Sequence, residues 1–180
     1  VLFVIPSENF SVSEYKGVRE GLEKSGYRVI VASARKKAMG AITVNVDVIM
    51  EEVKDLAPYL GIIFCGGQGT KEYNDRIDPK TSDAMKAFLQ KLQQKAKSLV
   101  DEALRDKKVV GAICSAPAIV LAPMQVLKVK KVTGWTSPEE RAIFKKVGAI
   151  FTDKNVEIDN KLITAKPASV KEFVAAIIIA

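Results

Sequence analysis

Residues 109–120 read VVGAICSAPAIV, and this stretch decides the fold prediction. Its first five residues are apolar and rich in β-branched side chains, a pattern typical of a buried strand, and a second apolar run of helical character follows the proline. Alanines stand two residues before and two residues after Cys114. Small side chains at this spacing permit the tight turn of a nucleophile elbow. The stretch therefore predicts a strand, a sharp turn at Cys114 and a helix that begins near Pro117, where a missing N–H costs nothing.

The position of Cys114 supports two interpretations. At the start of a helix, the dipole favours a thiolate and lowers the thiol pKa, so Cys114 would be a reactive nucleophile. The alternative is a buried core cysteine at a strand end, because cysteine is among the residues most often buried. The spacing alone does not decide between them. Cys65, in contrast, lies within the apolar register of a predicted strand, and we expect it to serve packing.

The rest of the chain alternates between strand and helix patterns. Four further apolar runs predict strands, at residues 1–5, 27–32, 60–65 and 129–133. An apolar stripe over residues 82–106 predicts a long helix, and a hairpin is predicted at 156–164, before a final apolar helix that opens at Ser169. This alternation predicts an α/β fold with a mostly parallel sheet, and the length fits one domain over residues 1–180.

Two helix starts carry the spacing of a capping box. Ser11 is followed three residues later by Glu14, and Ser137 is followed by Pro138, Glu139 and Glu140. In such a box the serine hydroxyl caps the helix while the glutamate side chain reaches back to the N–H of the serine. The pattern therefore predicts that helices begin at these two serines and that both glutamates cap.

Composition excludes several classes of protein. The chain has 28 lysines and arginines against 21 acidic residues, for a formal charge of +7, but only 7% of its residues are aromatic. Because the lysines are interleaved with acidic and apolar residues, they indicate solvated helix faces, and we expect no nucleic-acid partner. No long apolar span indicates a membrane segment. Two cysteines form no disulfide framework, and with no signal peptide in view we expect a cytoplasmic location.

The 180 residues include no histidine. This removes the commonest general base and the commonest zinc ligand at once. No Cys-His dyad can form within the chain. We accordingly expect no metal site and no cofactor.

Five landmarks, in order, resemble the DJ-1/ThiJ/PfpI superfamily along almost the whole chain. They are the opening strand with Glu8 just after it, the IIFCGGQG loop at 62–69, the AICSAP elbow at 112–117, KVT at 131–133, and the terminal hairpin with LIT at 162–164. The resemblance implies a flavodoxin-like three-layer sandwich with the elbow cysteine in a strained backbone conformation. It also implies an acid near the end of the first strand that hydrogen-bonds the thiolate, and here that acid would be Glu8.

The sequence departs from the family pattern at two places. Members similar to the PfpI proteases carry histidine directly after the cysteine, where this chain has Ser115, and DJ-1-like members often carry histidine after the Val-Thr strand, where this chain has Trp135. These departures argue against a PfpI-type peptidase and against the Cys-His-Glu glyoxalases of the family. What remains is Cys114 with Glu8, a pocket at Trp135, and the backbone N–H groups of Gly67 and Ser115 as an oxyanion site.

Three functions fit these residues. The first is a cysteine-dependent hydrolase-like enzyme, of glyoxalase, deglycase or amidase type, that acts on small carbonyl compounds or their adducts. The second is a redox-sensing or stress-protective, chaperone-like protein that uses oxidation of the same cysteine. The third is a dimer with a vestigial site. The resemblance implies a homodimer or a larger homo-oligomer, and the expected ligand is a small molecule.

Overall fold

The structure is a computed structural model that describes residues 1–74 and 78–180. The strands of these residues are β1 Leu2–Val4, β2 Ile30–Ser33, β3 Lys37–Met39, β4 Thr43–Asn45, β5 Val48–Ile49, β6 Gly61–Phe64, β7 Val109–Ile113, β8 Lys131–Val132, β9 Ile150–Phe151, β10 Val156–Asp159 and β11 Leu162–Ala165. The α-helices are α1 Val12–Lys24, α2 Asp83–Arg105, α3 Pro138–Lys146 and α4 Val170–Ile179. Shorter helical segments are the 3₁₀ turns Met50–Glu52 and Gln68–Tyr73 and the π-helical turn Pro117–Leu121.

The main sheet has the strand order β10-β11-β7-β6-β1-β2-β5. Its strands run parallel except β10, which pairs antiparallel with β11 in the hairpin that the sequence predicts. Parallel strands are buried on both faces, which explains the continuous apolar runs. The predicted α/β fold of flavodoxin-like type is confirmed.

Alternate residues of β1 define the two faces of the sheet. Leu2 and Val4 pack into the apolar cluster that includes the buried side of α2, whereas Phe3 and Ile5 pack into the cluster formed with α1 and α4. Because side chains alternate along a strand, β1 and the next residue, Ile5, anchor helices on both faces. The result is a three-layer sandwich whose central strands β1, β6 and β7 are adjacent. The loops at their carboxyl ends therefore lie at one edge of the sheet, where ligands bind in open α/β sheets.

The segment after Cys114 differs from the predicted helix. The turn Pro117–Leu121 has π geometry, in which the N–H of Ala122 donates to the carbonyl of Pro117 at 3.1 Å. Pro123 follows and has no N–H to continue a helix, so the helical segment ends there. A single turn aligns few peptide dipoles, and it therefore gives Cys114 less electrostatic support than the longer helix that the sequence suggests.

Two small sheets flank the main one. The predicted strand at residues 129–133 is shorter, β8, and pairs in parallel with β9, while β3 and β4 form an antiparallel hairpin that covers the loop after β1. No helix of residues 1–74 and 78–180 is both long and apolar enough to cross a membrane.

Candidate active site

Cys114 directly follows β7 and has a φ of 64°, in the left-handed region that a residue with a side chain rarely adopts. Backbone hydrogen bonds hold it on both sides. Its N–H donates to the carbonyl of Ala165 at 2.9 Å, and its carbonyl accepts from the N–H of Trp135 at 2.7 Å. Strained residues persist where surrounding structure fixes them, and they cluster at functional sites. The backbone thus turns sharply at the cysteine.

The carboxyl group beside the Cys114 thiol belongs to Glu14, and the expectation for Glu8 is wrong. Glu8 lies in the loop after β1 with an exposed side chain. The first turn of α1 returns over the ends of the central strands and carries Glu14 to the thiol, where it is 2% exposed and within side-chain hydrogen-bonding reach of Cys114. The N–H of Gly66 also donates to Glu14 Oε2 at 3.0 Å. The acid that contacts the thiol thus lies six residues further along the chain than the expected one.

Two glycines make room for this contact. A Cβ atom on Gly66 would lie 2.5 Å from Cys114 Cβ and 2.6 Å from Glu14 Oε2, so only glycine lets the thiol and the carboxyl meet here. Gly67 has a φ of 116°, and a Cβ atom there would lie 2.4 Å from the carbonyl oxygen of Asn9. The Gly-Gly pair therefore has a steric function at the site.

The pKa values of the pair are set mainly by burial. Burial raises the pKa of Glu14. Burial also raises the pKa of Cys114, to about 12, and the negative charge of Glu14 adds to that rise. Burial shifts both groups upward, and with its pKa near 12 the thiol is the weaker acid, which favours the proton on sulfur. Burial and the Glu14 carboxylate outweigh the opposing effect of the Ser115 N–H, so the pKa of Cys114 shifts in the direction opposite to the one that a helix start favours.

A pocket of about 410 Å³ opens at Cys114. Its lining consists of Gly67, Gln68, Thr70, Lys71, Cys114, Ser115, Ile119, Trp135 and Glu140. Hydrogen bonds tie its two loops together, since the hydroxyls of Thr70 and Ser115 donate to the carbonyl of Gly67 at 2.8 and 3.2 Å. Three residues expected from the sequence, Gly67, Ser115 and Trp135, thus share a pocket with the cysteine.

The model of the DJ-1/PfpI family matches this chain over residues 1–180. The chain belongs to the DJ-1/PfpI family. An uncharacterized protein of Methanocaldococcus jannaschii is 33% identical over 168 residues, which cover 92% of this chain and 74% of that protein. A ThiJ/PfpI domain protein from Brachyspira murdochii has a similar fold, with a TM-score of 0.81 at 24% identity over 98% of this chain and 92% of that one. Oxidized DJ-1 from Toxoplasma gondii has a TM-score of 0.75 at 21% identity, over 98% and 88% of the two chains.

This DJ-1/PfpI pocket contains a second buried carboxyl that sequence reasoning missed. Glu140 is 7% exposed and lies in the first turn of α3, where its N–H donates to the Ser137 hydroxyl at 3.2 Å. Half of the predicted capping box therefore forms. Within residues 1–74 and 78–180, Glu140 Oε2 is buried and has no hydrogen-bond partner. Burial, with the charge of Glu139, raises the pKa of this carboxyl to about 8.

Cys65 has a different environment from Cys114. It follows β6, is 1% exposed, and its thiol donates to the carbonyl of Ser11 at 3.6 Å. Burial raises the pKa of this thiol well above its ordinary value. In the part of the chain that the structure describes, no three histidine, cysteine or acidic side chains are grouped so that they could hold a metal ion.

Proposed function

We propose that this protein is a cysteine-dependent, hydrolase-like enzyme that acts on small carbonyl compounds or their adducts, with Cys114 as the nucleophile. One observation carries the proposal. A cysteine fixed at a φ of 64° presents its thiol to a small-molecule-sized pocket beside a buried carboxyl group. A nucleophile and a base within hydrogen-bonding reach, at a cleft, are the arrangement that covalent catalysis requires.

Glu14 acts as the general base of this proposal. The resting pair holds its proton on sulfur, so attack on a carbonyl carbon must release that proton. As the bond between Cys114 Sγ and the carbon forms, the S–H proton passes to the Glu14 carboxylate, and the π pair of the carbonyl moves to its oxygen. The raised pKa of Glu14 makes it a stronger base than a free carboxylate.

The negative charge that develops on oxygen requires hydrogen-bond donors. The N–H of Ser115 is directed toward the cysteine side chain. Gly67 lines the same pocket, and within the described residues its N–H has no acceptor. We propose these two N–H groups as the oxyanion site, where one donor typically contributes about 2.7–4 kcal/mol to the transition state.

Oxidation of Cys114 is the second candidate function. One structurally similar protein is an oxidized DJ-1, and the Cys114 thiol lines an open pocket. Susceptibility to oxidation follows thiolate character, however, and burial keeps the Cys114 pKa high. The raised pKa therefore supports base-assisted attack over spontaneous oxidation.

Turnover of methylglyoxal and of a model ester tests the proposal. We expect wild-type turnover that is abolished in Cys114→Ser and falls by about 10²- to 10⁴-fold in Glu14→Gln, since glutamine cannot accept the proton. Glu8→Gln is the matched control, because it removes an exposed carboxylate of the same chain segment and should leave turnover unchanged. Equal turnover by wild type and Cys114→Ser would overturn the proposal and leave oxidation as the stronger candidate.

Self-association into a homodimer or a larger homo-oligomer is also proposed, on the family resemblance. Light scattering at micromolar concentration tests it, and a monomeric mass would exclude a shared site.

A further inference from the structure

Glu140 lines the same pocket as the Cys114 thiol. The N–H of Trp135 donates to the carbonyl of Cys114 at 2.7 Å and thereby fixes the segment that leads into α3 against the cysteine turn. Helix α3 packs on the π-helical turn Pro117–Leu121, with the buried ring of Phe144 as its anchor. The first turn of α3 consequently borders the Cys114 pocket, and Glu140 forms part of its lining.

The side chain of Glu140 is not used for capping. In a complete capping box the glutamate carboxyl would accept from the N–H of the N-cap residue, which is Ser137 here. Instead, Glu140 Oε2 is buried and without a hydrogen-bond partner among the described residues. A buried polar atom without a partner is costly, and a catalytic role or contact with a bound ligand is one explanation for it. The Glu140 carboxyl thus lines the pocket instead of making the capping contact with the Ser137 N–H.

We propose that Glu140 is the general acid of this site and delivers its proton to the substrate oxygen during attack by Cys114. This inference rests on the proposed function and gives it the group that histidine provides in other proteins. For an aldehyde, the bond between sulfur and carbon forms, the thiol proton goes to Glu14, and the carbonyl π pair becomes an oxygen lone pair. That oxygen then takes the proton of Glu140. The products are a neutral hemithioacetal, a protonated Glu14 and an ionised Glu140, so charge and protons balance.

The charge environment keeps Glu140 protonated in the resting site. Burial raises its pKa to about 8, and the ionised carboxylate of Glu139 on the same helix turn adds to the rise. The other titratable or charged groups around it are Cys114, Glu14 behind the thiol, Lys71 on the facing rim, and Arg141, which pairs with Asp153 at 3.6 Å. At neutral pH the carboxyl is therefore mainly in its acid form, as a proton donor requires.

The substrate class follows from this assignment. A protonated carboxyl opposite a thiol selects a ligand whose acceptor oxygen is bonded to the carbon under attack. Small aldehydes and α-oxoaldehydes meet this requirement, and the apolar faces of Ile119 and Trp135 limit the rest of the ligand to a small apolar or neutral group.

The pH dependence of methylglyoxal turnover tests this role. Wild type should lose kcat/KM above about pH 8, as Glu140 ionises. Glu140→Gln should lose about 10²-fold or more in kcat/KM at neutral pH, and should no longer show that alkaline limb. Glu139→Gln is the matched control. It removes one charge from the same helix turn, should keep the neutral rate within about twofold, and should move the alkaline limb only slightly downward.

Two further measurements separate failure of this inference from failure of the proposed function. Alkylation of Cys114 by iodoacetamide needs no oxygen protonation, so Glu140→Gln should alkylate at the wild-type rate. The infrared difference between wild type and Glu140→Gln should show a protonated carboxyl at neutral pH. An ionised Glu140, or a Glu140→Gln variant with the wild-type rate and alkaline limb, overturns the inference alone. Equal turnover by wild type and Cys114→Ser overturns the proposed function and this inference with it.

Discussion

Two buried glutamates lie near the Cys114 thiol, one on α1 and one on α3, and they differ in what their carboxyl groups contact. Glu14 accepts a hydrogen bond from the Gly66 N–H and is within reach of the thiol. Glu140 has a buried oxygen without any partner in the described part of the chain. Burial raises the pKa of both carboxyls.

This difference in hydrogen bonding indicates which carboxyl stabilises the fold and which is available to a ligand. A satisfied buried carboxyl positions its neighbours, because removing it leaves their donors without an acceptor. An unsatisfied one costs stability in the resting protein, and a ligand that contacts it recovers part of that cost. We therefore expect the Glu14 carboxyl to stabilise the site without a ligand, and the Glu140 carboxyl to gain a hydrogen-bond partner when a ligand binds.

The largest expected effect comes from Gly66→Ala. The added methyl would lie 2.5 Å from Cys114 Cβ and 2.6 Å from Glu14 Oε2. Cys114 Cβ is fixed to the backbone, and the Glu14 carboxyl is buried and accepts from the Gly66 N–H. We expect a destabilisation of about 1–3 kcal/mol, as for other overpacked sites, together with loss of turnover. Urea denaturation and an activity assay measure the two effects. An alanine variant with wild-type stability and activity would mean that Glu14 and Cys114 do not need to touch.

Leucine substitutions at the two glutamates should have different effects on stability. Glu14→Leu leaves the buried Gly66 N–H without its acceptor, so the free energy of unfolding should fall by about 1–3 kcal/mol. Glu140→Leu removes an unpartnered buried oxygen and should leave stability at neutral pH unchanged or higher. Denaturant midpoints of the two variants compare these effects directly. Equal losses would show that Glu140 also has a partner in the fold.

The pH dependence of stability should reveal the raised pKa of the Glu140 carboxyl. Its ordinary pKa is 4.5 and its pKa in the fold is about 8, so between these values the unfolded chain releases a proton that the folded chain retains. Unfolding then becomes easier as pH rises, and the contribution of this group to stability is fully present below about pH 4.5 and lost by about pH 8. Glu140→Gln should therefore gain stability relative to wild type as pH rises through this window. A constant difference between the two proteins from pH 5 to pH 8 would contradict a raised pKa.

The smallest expected effect is that of Glu8→Gln. Its carboxylate is exposed and away from the thiol, so stability should change by less than about 0.5 kcal/mol and the thiol should titrate as in wild type. Denaturation and thiol titration of this variant provide the check. A change in Cys114 reactivity would restore Glu8 as the acid of the site.

These two glutamates also show how far the sequence predicts the structure. The elbow at Cys114 is predictable because small side chains must flank such a turn, and the parallel sheet is predictable because its strands are apolar throughout. The roles of the two glutamates are harder to predict, since Ser11-x-x-Glu14 and Ser137-x-x-Glu140 have the spacing of capping boxes. In both cases the serine begins the helix as expected, but Glu14 contacts the cysteine and Glu140 lines its pocket. Local spacing cannot distinguish a glutamate that caps its helix from one that lies at the cysteine pocket, because the difference depends on which loop packs against the helix start.

The direction of the Cys114 pKa shift was not predictable from the sequence for a related reason. The apolar run after Cys114 suggests a helix, but Pro123 ends the helical segment after one π turn. The environment of the sulfur is then decided by burial and by Glu14, neither of which the run at 109–120 reveals. A signal was nevertheless present: a glutamate at a position that α1 buries, in a helix that starts beside the strand ends.

Titration of the Cys114 thiol tests the central claim most directly. The thiolate absorbance of wild type, taken as the difference from Cys114→Ser, is followed from acid to alkaline pH and compared with that of Glu14→Gln. If Cys114 keeps its proton and Glu14 is the carboxylate that accepts it, wild type shows no thiolate at neutral pH, and Glu14→Gln lowers the midpoint because it removes a neighbouring negative charge. A wild-type thiolate at neutral pH whose midpoint rises in Glu14→Gln would place the proton on Glu14 and contradict its role as the base.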